Sequence, residues 1–263
     1  TKTAQWVNLG RMKNQGFDMS LEFDHSFNKD FSISARGNFT YNRNKKLYDD
    51  KPDQIWKYQN LAGFAQNQQF GLIAEGLFES EEDIATWPKQ NFGDVRPGDI
   101  KYRDINGDGK IDDLDRVDLG SSIPKINYGL NLGAYYRDFD LQLFFQGVAG
   151  NKIYNQMRHR LEGDGSTSVL SPVMTDAWTK DNPDGSIPNP RNSVNYYVSN
   201  RFLESGSYFR LKNLQIGYSL PKSLIAKAGF ENCRFYIQGS NLFTLTNLSL
   251  IHISEPTRHL RIS

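Results

Sequence analysis

Phe17-Asp18-Met19-Ser20-Leu21-Glu22-Phe23-Asp24-His25-Ser26-Phe27, a turn at Asn28-Lys29-Asp30, then Phe31-Ser32-Ile33-Ser34-Ala35-Arg36-Gly37-Asn38-Phe39-Thr40-Tyr41-Asn42: this stretch decides the fold. Apolar and polar residues alternate with period two on both sides of the turn, so each arm reads as a strand with one apolar and one polar face. Each arm holds about eleven alternating residues, where soluble strands average ~5–6. That length suits a tilted strand crossing a bilayer, which needs ~9–11 residues. The polar faces are polar throughout, as a wet lumen requires.

The same unit recurs further on. Tyr128, Leu130, Leu132, Ala134 and Tyr136 alternate with Gly129, Asn131, Gly133 and Tyr135, and a tight turn at Arg137-Asp138 follows. Phe139, Leu141, Leu143 and Phe145 then alternate with Asp140, Gln142 and Gln146. Leu214, Ile216, Tyr218 and Leu220 form another series, and Phe235 and Ile237 one more. Residues 54–62 and 70–78 are weaker strand candidates, joined by a short turn near 63–68. Segments 43–53, 79–126 and 148–206 are long and rich in Asn, Asp, Gly and Pro, and they read as loops with little core of their own. Short turns on one side and long loops on the other match an outer-membrane barrel with its long loops outside the cell. A soluble β-sandwich with one polar face per sheet is the alternative.

Composition narrows the choices. There are 31 basic and 30 acidic residues, a net charge of +1, which gives no electrostatic case for binding nucleic acid. Mean hydropathy is −0.62 and no apolar run approaches the ~20 residues of a membrane helix. Aromatic residues make up 13% of the chain and there are 22 glycines, which favours sheet. The single cysteine, Cys233, leaves no disulfide framework or zinc cluster. The chain starts at Thr1 in mid-pattern and reads as a fragment or processed piece.

One loop carries a metal signature. Asp104-Ile105-Asn106-Gly107-Asp108-Gly109-Lys110-Ile111-Asp112-Asp113-Leu114-Asp115 has the spacing of a twelve-residue calcium loop. Asp104, Asn106 and Asp108 offer side-chain oxygens, Gly109 makes the sharp turn, and Lys110 gives its carbonyl. Asp112 acts through a water and Asp115 closes the shell. The expected role is a structural Ca2+ that orders an external loop. The other reading is an acidic, solvated turn.

These residues, taken together, resemble the SusC/RagA-like TonB-dependent receptors of Bacteroides-type outer membranes. The resemblance rests on Pro97-Gly98-Asp99-Ile100-Lys101-Tyr102-Arg103 leading into the calcium loop, on Asp115-Arg116, and on Gly120. It continues through Tyr128 to Leu132, Phe139-Asp140-Leu141 and Phe144-Phe145-Gln146-Gly147-Val148-Ala149-Gly150-Asn151. Trp178-Thr179-Lys180-Asp181-Asn182-Pro183, Tyr208 to Tyr218, and Gly239-Ser240-Asn241-Leu242-Phe243-Thr244 complete it. The resemblance covers roughly residues 5–249.

It implies an all-β antiparallel transmembrane barrel of about 22 strands, of which residues 1–250 supply the C-terminal part, about eight strands. It further implies import of large nutrients, glycans and sometimes peptides, with a SusD-like surface lipoprotein over the mouth. TonB would supply energy through an N-terminal plug region that these residues do not include. Outer-membrane lipid would surround the wall, and no chemistry would be done on the cargo. Residues 251–263 depart from this pattern: Pro256 and scattered charges do not suit a lipid-facing strand, and the tail resembles translated sequencing-adapter read-through.

Few residues invite an enzymatic reading. His25 sits on the apolar series near a turn and reads as an interface residue; His159 reads as a loop residue and Cys233 as inert. His252 and His259 fall in the tail. No phosphate loop, triad or paired carboxylate can be placed, which leaves a glycan-processing enzyme unsupported. Tyr48, Trp56, Trp87, Trp178, Tyr196 and Tyr197 could stack on sugars or pack within their loops. A secreted, calcium-stabilised β-sandwich that binds carbohydrate is the alternative function.

Overall fold

The computed structural model describes residues 10–49, 51–52, 54–163, 175–189, 192–221, 223, 229 and 231–248. The tail at 251–263, with His252, Pro256 and His259, lies outside them. The strands are, in order, β1 (Arg11–Ser26), β2 (Phe31–Tyr48), β3 (Gln68–Gly71), β4 (Ala74–Leu77), β5 (Lys89–Gln90), β6 (Ile100–Tyr102) and β7 (Lys110–Ile111). Then come β8 (Val117–Ser121), β9 (Ile126–Tyr136), β10 (Phe139–Ala149), β11 (Lys152–Tyr154), β12 (Leu203–Ser205), β13 (Tyr208–Ser219) and β14 (Arg234–Thr246). Two short helices are α1 (Glu81–Thr86) and α2 (Gln156–Gly163). The chain forms two compact units.

The first, the wall unit, contains the described residues within 14–43, 123–151 and 205–248. Its six strands make one sheet in the order β1-β2-β9-β10-β13-β14. Each of these strands has 11 to 18 residues, so the length read from the alternation is present throughout. About eight strands were expected; six of the described ones form this sheet, and the weak candidates at 54–62 and 70–78 lie elsewhere. No second sheet covers its apolar face among the described residues of the unit: Ile216 is 48% exposed and Ile237 79%. A sandwich would bury that face.

Local chemistry sets the turns. Asn28 Oδ1 accepts from the N–H groups of Asp30 and Phe31, both at 2.8 Å, which closes the first hairpin. Arg137 takes a left-handed φ of 54° in the Arg137-Asp138 turn, and its N–H donates to Asp30 O at 2.7 Å, tying neighbouring turns together. The β13 ladder shifts at Lys212 against both neighbours, and Asn241 on β14 has a φ of 53° beside that irregularity.

The second, the loop unit, contains the described residues within 10–13, 44–122 and 152–204. It corrects one expectation directly: the long connections have a core. Leu72, Ile100, Tyr102, Ile111 and Phe202 are buried together, and Trp87, Phe92, Tyr154 and Tyr197 pack on them. Burial of each aliphatic side chain is worth roughly 1.5–3 kcal/mol. Within the candidate strand at 54–62 the described residues form a 3-10 turn, Lys57–Gln59, and no strand. The stretch 70–78 contributes to β3 and β4, which pair with β8 and β6 inside this unit.

Candidate functional site

The register of the wall sorts its side chains into rows. On one face Phe31, Tyr136, Phe139, Tyr218 and Phe235 line up across five strands at the short-turn end. Next come Ile33, Ala134, Leu141, Ile216 and Ile237, then Ala35, Leu132, Leu143, Leu214 and Gly239. Phe39, Tyr128, Gly147, Phe209 and Leu245 form a second aromatic row toward the other end, with Tyr41 beyond it. From Phe31 to Tyr41 is ten residues; at ~3.4 Å each and a tilt of ~40° this spans about 25 Å. An apolar band of that height between aromatic rows is what a bilayer core and its two interfaces select. His25 stacks on Phe23, ring centres 6.2 Å apart, and meets Phe27 edge-on at 4.5 Å, next to the first row.

The opposite face is polar. Ser34, Gly133, Gln142, Gln215 and Gln238 form one row, and Arg36, Asn131, Phe144, Asn213 and Ser240 the next, with Phe144 the apolar exception. A shallow cavity of about 490 Å³ lies on this face, lined among others by Glu22, Asp24, Arg36, Asn131, Tyr135 and Gln142. Arg36 pairs with Glu22. Arg234 on β14 grips Asp140 on β10 with two bonds, Nη2 to Oδ2 at 2.6 Å and Nε to Oδ1 at 2.9 Å. The pair passes over Gly217 on β13, where a Cβ would meet Asp140 Oδ1 at 2.4 Å. Sequence reading missed this pair; partners 94 residues apart meet only through the register.

The predicted calcium loop lies in the loop unit, anchored by Ile111 and Asp115, both fully buried. Its backbone has the required turns, with Gly107 at φ 74° and Gly109 at φ 81°. Asp104 accepts the N–H groups of Gly107 at 2.7 Å and Gly109 at 2.9 Å, and Asp108 accepts that of Lys110 at 2.9 Å. Asn106 Oδ1 accepts from Asp108 N at 2.9 Å, and Asp112 Oδ1 from Leu114 N at 2.8 Å. Asp115 accepts from Ile105, Asn106 and Asp112 at 2.8, 3.3 and 2.8 Å. The donors are hard oxygens in the right order on a backbone already turned to present them. They do not converge: among the described residues no group of three or more His, Cys, Asp or Glu side chains is arranged to hold an ion.

Most of the loop aromatics serve packing. Trp87 Nε1 donates to Tyr102 O at 2.7 Å, and Lys101 Nζ lies 4.1 Å from the Trp87 ring centre. Trp178 is buried against Gly98. Tyr197 packs 4.2 Å from Phe92, and Tyr196 meets His159 edge-on. Trp56 is half-buried and Tyr48 exposed. Behind them Asp99 is fully buried, accepting from Asn195 Nδ2 at 2.8 Å, from Arg96 N at 2.7 Å and from Asn192. Burial pushes its carboxyl above the usual range, against the pull of these bonds. Burial likewise lowers Arg201, which Glu162 holds at 3.0 Å.

No family model matches the chain. It is 31% identical over 257 residues to the TonB-dependent receptor P3 of Formosa agariphila, covering 93% of this chain and 25% of that protein. It is 22% identical over 222 residues to the TonB-dependent receptor SusC of Bacteroides thetaiotaomicron, covering 81% of this chain and 21% of that one. The solved RagAB peptide transporter superposes with a TM-score of 0.71 at 26% identity, over 92% of this chain and 26% of that one. The chain therefore spans about a quarter of the length of the relatives it matches. With its two-faced wall, it belongs over that span to the SusC/RagA-like TonB-dependent receptors of the outer membrane.

Proposed function

We propose that the whole protein imports large nutrients, glycans or peptides, across the outer membrane, with no chemistry on the cargo. The wall carries the reading: six strands long enough to span, apolar and aromatic on one face and polar on the other. The polar face lines the route, and its amides and ion pairs offer hydrogen bonds to a hydrated solute. TonB drives transport through a region outside these residues, and a SusD-like lipoprotein meets the external loops. One relative is described as a peptide transporter, which supports peptides as a cargo class alongside glycans. The test is uptake: cells lacking the receptor should lose growth on one polymeric nutrient, and growth unchanged on every such nutrient would overturn the proposal.

Ca2+ is proposed as a structural ion of the loop, held by Asp104, Asn106, Asp108, the Lys110 carbonyl, Asp112 and Asp115. The donor order and the two left-handed glycines support it. Binding draws the carboxylates inward from their amide partners and supplies the charge that offsets their repulsion. Calorimetry on the purified receptor checks it: a calcium heat lost in Asp104→Ala supports the site, and no heat removes it.

A further inference from the structure

Asn106-Gly107 is the one Asn-Gly pair among the 263 residues. How readily such a pair reacts depends on what crowds the backbone nitrogen after the asparagine. Gly107 brings no side chain to that nitrogen, and a Cβ there would meet nothing within 4 Å. Both residues are exposed.

We propose that Asn106 is a site of spontaneous deamidation, held in check by the hydrogen bonds of its own loop. Hydroxide removes the Gly107 amide proton, and the nitrogen attacks Asn106 Cγ. The Cγ–Nδ2 bond breaks and ammonia leaves with a proton from water. Water then opens the cyclic imide at one carbonyl or the other, giving aspartate or isoaspartate at position 106. No electrons change hands, so no oxidant or reductant is needed.

Three bonds oppose the first step. Asn106 Oδ1 accepts from Asp108 N at 2.9 Å, and Nδ2 donates to Asp108 Oδ2 at 3.3 Å. The Gly107 N–H, whose proton must leave, is held by Asp104 Oδ1 at 2.7 Å. The amide must therefore leave Asp108, and Gly107 must leave Asp104, before carbon and nitrogen can meet. Asn192-Ser193 provides an internal comparison. Asn192 Nδ2 donates to Asp94 O at 2.9 Å and to Asp99, Oδ1 accepts from Val194 N at 3.5 Å, and Ser193 adds a Cβ beside the nucleophile.

The consequence rests on the calcium reading. Aspartate keeps an oxygen in the third ligand slot, whereas isoaspartate lengthens the backbone by one carbon and displaces every later donor.

The test uses the detergent-solubilised full-length receptor at mildly alkaline pH in heavy-oxygen water, with calcium, with a chelator, and denatured. The tryptic peptide Asp104–Lys110 is followed by mass spectrometry. Asn106 should convert several-fold faster than Asn192 in the denatured chain, take up heavy oxygen, and convert several-fold more slowly when folded. Gly107→Val should slow the denatured reaction several-fold, where folding plays no part. An intact Asn106 in the denatured chain, or conversion no faster than at Asn192, overturns the site. Equal rates folded and denatured overturn the protective role of the loop. Equal rates with calcium and with chelator sink the calcium reading alone, since the site and its amide bonds need no ion.

Discussion

Gly98 lies against the indole of Trp178 so closely that a Cβ on it would come within 2.3 Å of Trp178 Cε3. The contact joins the Pro97-Gly98-Asp99 turn to the segment that begins at Trp178. Asn189 N donates to Gly98 O at 2.8 Å and Gly98 N to Phe78 O at 2.7 Å, so neither side can retreat without breaking backbone bonds. The two sequence stretches that carry much of the family resemblance are halves of one joint in the loop unit.

Replacing Gly98 with alanine should therefore cost about 1–3 kcal/mol from overpacking, with a further penalty because its φ is 89°. Limited proteolysis of the intact receptor should show faster cleavage in residues 44–122, with the strands of the wall still protected. An unchanged digest would count against the joint.

Asp99→Ala should also loosen this joint, by roughly 1–3 kcal/mol, because Asn195, Asn192 and the Arg96 N–H lose their acceptor. Its pH dependence has a definite sign. Burial raises the carboxyl above its unfolded value, so the contribution from this titration is complete at acid pH and fades as pH rises through the raised value. Unfolding of the loop unit followed from pH 4 to pH 7 should be flatter in Asp99→Ala than in the parent (about three pH units suffices to span a carboxyl titration). An identical slope would remove Asp99 as the source.

The wall was legible in the sequence because alternation over Phe17–Tyr41 fixes both the strand and the face of each side chain. The loop unit was not. Leu72, Ile100, Tyr102, Ile111 and Phe202 share a core but follow no common period, and they come from segments far apart in the chain. Without that core in view, Trp87 and Trp178 could be read either as packing residues or as sugar platforms, and the core decides for packing. The twelve-residue spacing of the proposed calcium loop can be read from the sequence, since its candidate donors are local. The convergence of those donors is a matter of side-chain rotamers, which spacing does not specify.

Arg234→Ala should leave Asp140, 9% exposed, without its partner on the polar face. The receptor should then lose its compact, heat-modifiable form on gels at a lower temperature than the parent. Gly217→Val should act in the same direction by forcing the pair apart, and the two changes together should do little more than one alone. Additive losses would mean the two residues act separately.

Calcium should stabilise the loop by ~2.7 kcal/mol at a hundredfold excess over its Kd. Chelation should speed cleavage within residues 94–120, and Asp112→Ala should cleave at the chelated rate with or without calcium. Cleavage indifferent to both would leave the loop an acidic turn closed by its own amides.

The orientation of the wall is tested most directly by placing one charge on each face at the same depth. Leu143 sits in the middle apolar row and Gln142 is its neighbour on the polar face. In the full-length receptor Leu143→Arg should cost about 2–4 kcal/mol at the bilayer midplane and deplete the heat-modifiable form in outer-membrane fractions. Gln142→Arg should assemble like the parent. Equal assembly of the two variants, or loss confined to Gln142→Arg, would contradict a lipid-facing apolar side and a wet lumen.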